Sequence, residues 1–329
     1  MLSGDTNPVG SVKKRIHKEE REMKRKAESG FTLVELLVAI ALGIVILAGL
    51  YQTFRTQHDS YIVQDQVAAM QQNLRAAMYM ITRDLQMAGW YSNFDRSNHS
   101  IDPAGLNMNG KPLIFSTPPG TAGNIKDGTD ALAIVKAGDG PRELAAGEWA
   151  RGTTLSFDLS ASGLNTGSRK YGLLVKNDLR TGDFFDVTQP NLSENYVAPD
   201  DMVFRADVII YKISNDATTG QPILYRKNLG NDNGYQPVAE NIDNMQVSYQ
   251  ILNPKTKNLE WVNTLDAKNQ GQVRSVEVVL VGRTAHRQRG YTDTNTYAFP
   301  NDPDANYTPN DHYRRKTFST IVKTRNVGL

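Results

Sequence analysis

The sequence predicts an α+β protein: a long N-terminal helix, transmembrane in its first half and amphipathic in its second, packed on a mainly antiparallel β-sheet head. Three observations carry this expectation. Residues 31–50 are apolar apart from Thr32 and Glu35. Residues 51–88 contain neither Pro nor Gly and repeat apolar side chains at steps of three or four. Beyond residue 90, short β-type runs alternate with stretches rich in Asn, Gly, Pro, Ser and Asp, and no further helix-length periodicity occurs. Strands without intervening helices pair antiparallel.

Taken in order, residues 1–30 are polar and charge-rich. Lys13, Lys14, Arg15, Lys18, Arg21, Lys24, Arg25 and Lys26 outnumber Asp5, Glu19, Glu20, Glu22 and Glu28. No apolar run precedes Gly30, so ordinary signal-peptide processing is not expected. Residues 31–50 form the membrane half of the helix: twenty helical residues rise ~30 Å, the thickness of a bilayer core. The cluster Lys24-Arg25-Lys26 just before it keeps the N-terminus cytoplasmic and sends everything after Leu50 across the membrane. Residues 51–89 form the amphipathic half. Phe54, Ile62, Val67, Met70, Leu74, Met78, Ile81, Leu85 and Ala88 make one apolar stripe, expected to bury against the sheet. Gly89 is the expected stop, and Gly43 and Gly49 allow close helix packing in the membrane half.

Residues 90–329 form the β-rich head. Residues 91–130 read as loop. Strands are expected at Ala131–Lys136, Thr153–Leu159, Gly172–Lys176, Phe184–Thr188, Val203–Ile213, Ile223–Lys227, Met245–Leu252, Val273–Arg283 and Phe318–Lys323. In Val273–Arg283, Val276, Val278 and Leu280 alternate with Glu277, Val279 and Val281. Asn231-Asp232-Asn233-Gly234 reads as a hairpin turn, and residues 284–312, with Pro300, Pro303 and Pro309, as a polar loop.

Composition excludes several functions. The net charge of +2 offers no argument for nucleic-acid binding. The absence of Cys removes disulfides, thiolate metal sites and Cys nucleophiles. His17, His58, His99, His286 and His312 show no metal-ligand spacing, and neither a phosphate-binding loop nor a serine elbow is present. The chain is expected to be no enzyme and to use no cofactor or metal. Asp302, Asp304 and Asn306 have the alternate spacing of Ca²⁺ ligands but lack the turn glycine of such loops, so a solvated loop is the better reading. The basic group Arg314, Arg315, Lys316, Lys323 and Arg325 alternates with Phe318 and Val322 and reads as a strand with one solvated face rather than an anion or DNA site. Trp90, Trp149 and Trp261 read as packing residues.

The unusual residue is Glu35, a carboxylate five residues into a membrane helix, where insertion costs ~2–3 kcal/mol. It snorkels, is protonated, or awaits a cation. Cleavage after Gly30 would supply one as the α-amine of Phe31. Paired between neighbouring helices, the two buried charges neutralise each other and set axial register. The string Gly30-Phe31-Thr32-Leu33-Val34-Glu35-Leu36 resembles the processing site of type IV prepilins and type II secretion pseudopilins. That resemblance implies that a membrane prepilin peptidase cuts after Gly30 and methylates Phe31, and that Glu35 docks the subunit into a filament.

Weaker patches resemble PilW-type minor pilins: Arg83-Asp84-Leu85-Gln86-Met87-Ala88-Gly89-Trp90, Gly128-Thr129-Asp130-Ala131-Leu132-Ala133-Ile134, and the ending from Tyr313-Arg314-Arg315-Lys316 to Thr324-Arg325-Asn326. The resemblance implies a single-pass inner-membrane subunit with a periplasmic head. Its implied partners are the prepilin peptidase, other minor pilins, the major pilin, membrane lipid and the assembly platform; no nucleic-acid partner is established. Its implied role is to prime pilus assembly from the filament tip. A J-type pseudopilin of type II secretion and a tip adhesin or surface- or DNA-binding module are the alternatives. A leader of residues 1–30 is long for the family, and translation from Met23 would leave an ordinary short one.

Overall fold

The computed structural model describes residues 31–88, 114–117, 125–137, 142–143, 148–149, 171–178, 182–186, 195–197, 200–229, 234–265, 272–302 and 305–324. The leader with Gly30, the expected strand Thr153–Leu159, the residues Gly89, Trp90 and Asp304, most of the 91–130 loop, Asn231–Asn233 and the final Arg325-Asn326 lie outside them. The chain divides into two units, residues 1–62 and 63–329. Among the described residues of the first unit, the segment from Leu33 is helical, and its apolar side chains are exposed almost throughout.

Helix α1 runs Leu33–Gln86. Its last hydrogen bonds, Met87 N to Asp84 O and Ala88 N to Leu85 O, span three residues rather than four, a tightened 3₁₀ finish. The helix therefore ends slightly before the expected glycine. In the second unit Met70, Leu74, Ala77, Met78, Ile81, Leu85 and Ala88 are buried, with Val67 half-buried beside them. The stripe does not bury along its whole expected length: Phe54 and Ile62 are 67% and 40% exposed. Periodicity identifies an apolar face but not how far a partner extends along it.

The head holds two main sheets, and all their pairs are antiparallel. The larger sheet contains β1 (Ile114–Thr117), β2 (Ala131–Ala137), β3 (Arg142–Glu143), β5 (Tyr171–Val175), β6 (Gly182–Asp186), β8 (Met202–Asn215), β9 (Pro222–Asn228) and β10 (Gln236–Glu240). It is organised on β8, whose fourteen residues serve four neighbours. β2 pairs with residues 206–211 and β9 with 209–215, so they take opposite edges; β3 and β5 share residues 202–205 in the same way. The smaller sheet has the order β12 (Leu259–Val262), β11 (Ile242–Leu252), β13 (Val273–Arg283), β14 (Arg315–Lys323). The short strands β4 (Glu148–Trp149) and β7 (Tyr196–Val197) pair with each other.

Expected and observed strands agree closely where the chain is apolar. Val273–Arg283 agrees to the residue; Gly182–Asp186 and Arg315–Lys323 begin two and three residues earlier than expected. Strands β1, β3, β4, β7, β10 and β12 were not anticipated. Most are too short to show a period, and β10 contains Pro237, where the register breaks in a bulge. β9 and β10 do pair across the expected Asn231–Gly234 turn.

The core lies where the C-terminal part of α1 meets both sheets. Leu74, Ile81 and Leu85 pack with Leu132, Ile134, Ile209, Ile213, Met245, Tyr249, Val276, Val278 and Leu280. Each fully buried aliphatic side chain contributes ~1.5–3 kcal/mol. The approach of helix to sheet is close at Gly282, where a Cβ would stand 2.8 Å from Leu74 Cγ. The opposite faces are covered as well. Val135, Leu173, Phe204, Val208 and Ile210 form a second cluster on the larger sheet. Val279 and Val281 pack against Phe299, Tyr297 and Tyr307 on the smaller one. Residues 284–312, expected as a polar loop, form no regular strand or helix among the described residues, but the loop is packed on the sheet rather than loose. The segment is held by bridges Asp293–Asp311 and Tyr297–Tyr307, and it lays Phe299 onto the sheet.

Candidate functional site: the helix start and the buried carboxylates

The chemistry predicted from sequence is concentrated at the first turn of α1. Phe31 is exposed and precedes the helix. Thr32 is the N-cap. Its hydroxyl accepts from Glu35 N at 3.2 Å, and Glu35 Oε2 accepts from Thr32 N and from the Thr32 hydroxyl, each at 2.9 Å. Leu36 N donates to Thr32 O at 3.1 Å, the first helical hydrogen bond. This is a capping box, legible as Thr-x-x-Glu but not anticipated in the reading of Glu35 as a charge awaiting a partner. The carboxylate therefore has a local role in the single chain: it satisfies donors at the helix start that lipid could not. After Thr32 and Glu35 the surface is apolar through Leu50, and α1 is the one helix among the described residues long and apolar enough to cross a membrane.

The second-unit end of α1 is tied to the head by Asp84, a residue of the Arg83–Trp90 patch. Asp84 Oδ1 accepts from Lys136 Nζ at 2.9 Å, and Oδ2 from Tyr211 Oη at 2.6 Å and Arg226 Nε at 3.0 Å. One helical carboxylate thus fastens β2, β8 and β9. Burial alone would raise its pKa, but these three donors hold it below the usual carboxylate range.

A larger network surrounds Asp243 on β11. Asp243 Oδ1 lies 2.5 Å from Lys126 Nζ; its Oδ2 accepts from Arg315 Nε at 2.7 Å and Tyr307 Oη at 2.9 Å. The Arg315 fork reaches Asp311 through both terminal nitrogens, each at 2.6 Å, and Asp293 at 3.3 Å. Tyr297 Oη donates to Asp293 at 2.8 Å. Despite its burial, Asp243 is held down to about 2 by Lys126 and Arg315. The side chain of Arg315 is fully buried. The C-terminal basic group does form a strand with Lys316 and Lys323 exposed, but Arg315 departs from that reading: it is an internal clamp joining β11, β14 and the 291–311 segment. Sequence reasoning missed Asp243, Asp293 and Asp311 because they lie up to 72 residues from Arg315 and share no motif with it.

Asp130, in another patch quoted above, accepts from Val247 N at 2.9 Å. Burial pushes it up to about 7 despite that hydrogen bond, with Asp302 adding repulsion. A carboxyl whose folded pKa is raised costs stability increasingly as pH rises from its unfolded value near 4 to its folded value near 7, and fully above that. The head should therefore gain stability as pH falls from about 7 towards 4, until other carboxylates titrate. Asp130→Asn should raise the thermal midpoint at pH 8, by an amount equivalent to ~2–4 kcal/mol or less, and flatten the midpoint-against-pH curve between 4 and 7. Scanning calorimetry of both chains across that range checks it.

Of the three residues with Ca²⁺-ligand spacing, Asp304 lies outside the described residues, and Asn306 Oδ1 accepts from Phe299 N at 3.3 Å.

Two family models match the chain. Residues 25–51 match the prokaryotic N-terminal methylation motif, and residues 210–326 match type IV pilus-assembly protein W, PilW. The second match spans the second half of β8 through β14 and includes Arg226, Asp243, Asp293, Asp311 and Arg315. No curated protein matches significantly. Among solved structures, the chain is distantly similar to a type IV-like pilin, TTHA1219 from Thermus thermophilus, at 12% identity and a TM-score of 0.35, covering 78% of this chain and 97% of that one. The chain thus carries a prokaryotic N-terminal methylation motif at the start of its long apolar helix and a PilW-like stretch in the second half of its head.

Proposed function

We propose that this chain is made as a prepilin, cut after Gly30 by prepilin peptidase and methylated on Phe31. It then joins other minor pilins in a complex that primes pilus polymerisation and stays at the filament tip. The single observation that carries this reading is the joined segment Gly30–Glu35 and apolar helix, which matches the methylation motif. The N-terminus stays on the cytoplasmic side of the inner membrane and the head lies in the periplasm. The chain's work is assembly: Glu35, capped by Thr32 within the subunit, meets the Phe31 α-amine of a neighbour once cleavage has created it. The PilW match in the head favours pilus assembly over type II secretion.

Mass spectrometry of the chain from membranes tests the processing step. With an active peptidase the N-terminal peptide should begin at Phe31 and carry one added methyl. In a peptidase-deficient strain the peptide should retain Gly30 and the residues before it, and deletion of this chain in an otherwise intact strain should lower surface pili. A mature N-terminus elsewhere would remove the basis of the reading.

A further inference from the structure

The free edge of β14 differs from the other sheet edges. β14 pairs with β13 in unbroken register from Arg315–Arg283 to Lys323–Ser275. Thr284 N donates to Arg314 O at 2.9 Å and Thr324 N to Arg274 O at 3.2 Å. In an antiparallel ladder this parity continues, so Lys316, Phe318, Thr320 and Val322 bond β13. The N–H and C=O groups of Thr317, Ser319, Ile321 and Lys323 then point the other way. No strand among the described residues takes them.

Natural edges are blunted by shortness, Pro, bulges or charge. β1 and β12 have four residues each, β6 has five, and β10 carries Pro237 and a bulge. β14 has nine residues without Pro or bulge. Its centre, Thr317–Ile321, is uncharged; Phe318 and Ile321 are 39% and 57% exposed. Lys316 and Lys323 are exposed at its two ends, and the strand contains no acidic residue. Arg315 is already neutralised by Asp243 and Asp311. Lys316 and Lys323, seven residues apart, lie on opposite faces of the sheet, and pairing two copies through this edge would place four exposed ammonium groups along one ladder with no acidic residue to offset them. The charge pattern thus disfavours self-pairing and favours a strand with acidic ends.

We propose that β14 is a docking edge that accepts an extended segment of another protein chain with acidic residues flanking a β-branched, uncharged centre. Main-chain hydrogen bonds to Thr317, Ser319 and Ile321 supply the affinity, and Lys316 and Lys323 select the flanks. The inference stands on the edge geometry and does not depend on cleavage or on the pairing of Glu35.

The test uses the full chain in detergent micelles and two synthetic peptides, Glu-Thr-Val-Thr-Val-Thr-Thr-Glu, whose acidic ends are spaced seven residues apart like Lys316 and Lys323, and its counterpart with Lys at both ends. Amide exchange at Ser319 and Ile321 should slow at least tenfold with the Glu-flanked peptide and less than twofold with the Lys-flanked one. Lys316→Glu with Lys323→Glu should reverse that preference. Ser319→Pro removes an outward N–H without breaking the β13 ladder, so it should keep its thermal midpoint and lose binding. Unchanged exchange, or equal response to both peptides, overturns the proposal. So does a folded Ser319→Pro chain that binds like the parent, or a Ser319→Cys chain that forms a disulfide dimer through this edge. The exchange measurement on the parent chain decides the matter even where the proline variant misfolds.

Discussion

Replacing Glu35 by Ala is expected to leave the chain cleaved at Gly30 and inserted in the membrane, yet lower its recovery in filament complexes by about 100-fold or more. Leaving one member of a buried ion pair without its partner costs ~3–5 kcal/mol, and about 1.4 kcal/mol is a factor of ten in an equilibrium. The structure adds a competing account. Glu35 also caps its own helix through Thr32, and loss of a cap costs ~1 kcal/mol. Glu35→Gln separates the two: a glutamine oxygen can still accept from Thr32 N, so the capping box survives while the charge is lost. If the charge pair drives assembly, Gln fails nearly as badly as Ala. Quantitative immunoblotting of co-purified pilins, with membrane levels as the control, reads this out. Wild-type recovery of Glu35→Gln would leave Glu35 with only its helix-start role.

Arg315→Met should destabilise the head more than any surface change. It leaves Asp243, Asp293 and Asp311 without their shared fork, inside a region where Arg315, Asp243 and Asp293 have essentially no solvent contact. Breaking such a pair costs ~3–5 kcal/mol, a large share of the ~5–15 kcal/mol that holds a typical domain. Arg315→Lys should recover little, because an ammonium cannot make the paired contact to Asp311 while reaching Asp243. Adding Asp243→Leu to Arg315→Met should restore part of the loss, because it removes the stranded charge. Urea unfolding of the detergent-solubilised chain, followed by tryptophan fluorescence, measures all three. The pH sign is opposite to that of Asp130. Asp243 is depressed to about 2, so its contribution is complete above the ordinary Asp value near 4 and is lost as pH falls through about 2. If single and double variants unfold at the same urea concentration as the parent, the clamp contributes nothing to stability.

The local patterns in the chain were readable to different depths. Apolar runs long enough to show a period located α1 and most long strands within a few residues. The polar head segments were read less well. Residues 284–312 look like loop because Pro, Asn and Asp dominate them, yet the segment covers the smaller sheet by inserting one aromatic and tying its carboxylates to Arg315. Asp84 stood within a quoted patch, but its role needed Lys136, Tyr211 and Arg226, the last 142 residues away. The capping box is legible as the spacing Thr32-x-x-Glu35, but spacing alone does not distinguish a carboxylate that caps its own helix from one that awaits a cation in the membrane.

By itself the sequence determined where the long apolar helix begins, which residues carry the methylation motif, and that strands follow the helix. Each of these rests on neighbours within a turn or two, or on uniform composition over a bilayer's length. Only the tertiary structure decided that the stripe buries from Val67 rather than Phe54. It alone showed that Arg315 lies inside the head rather than on a solvated face, and that no strand among the described residues pairs with the outer edge of β14. Those outcomes depend on which distant residues converge, and convergence is set by long-range packing that no local period encodes.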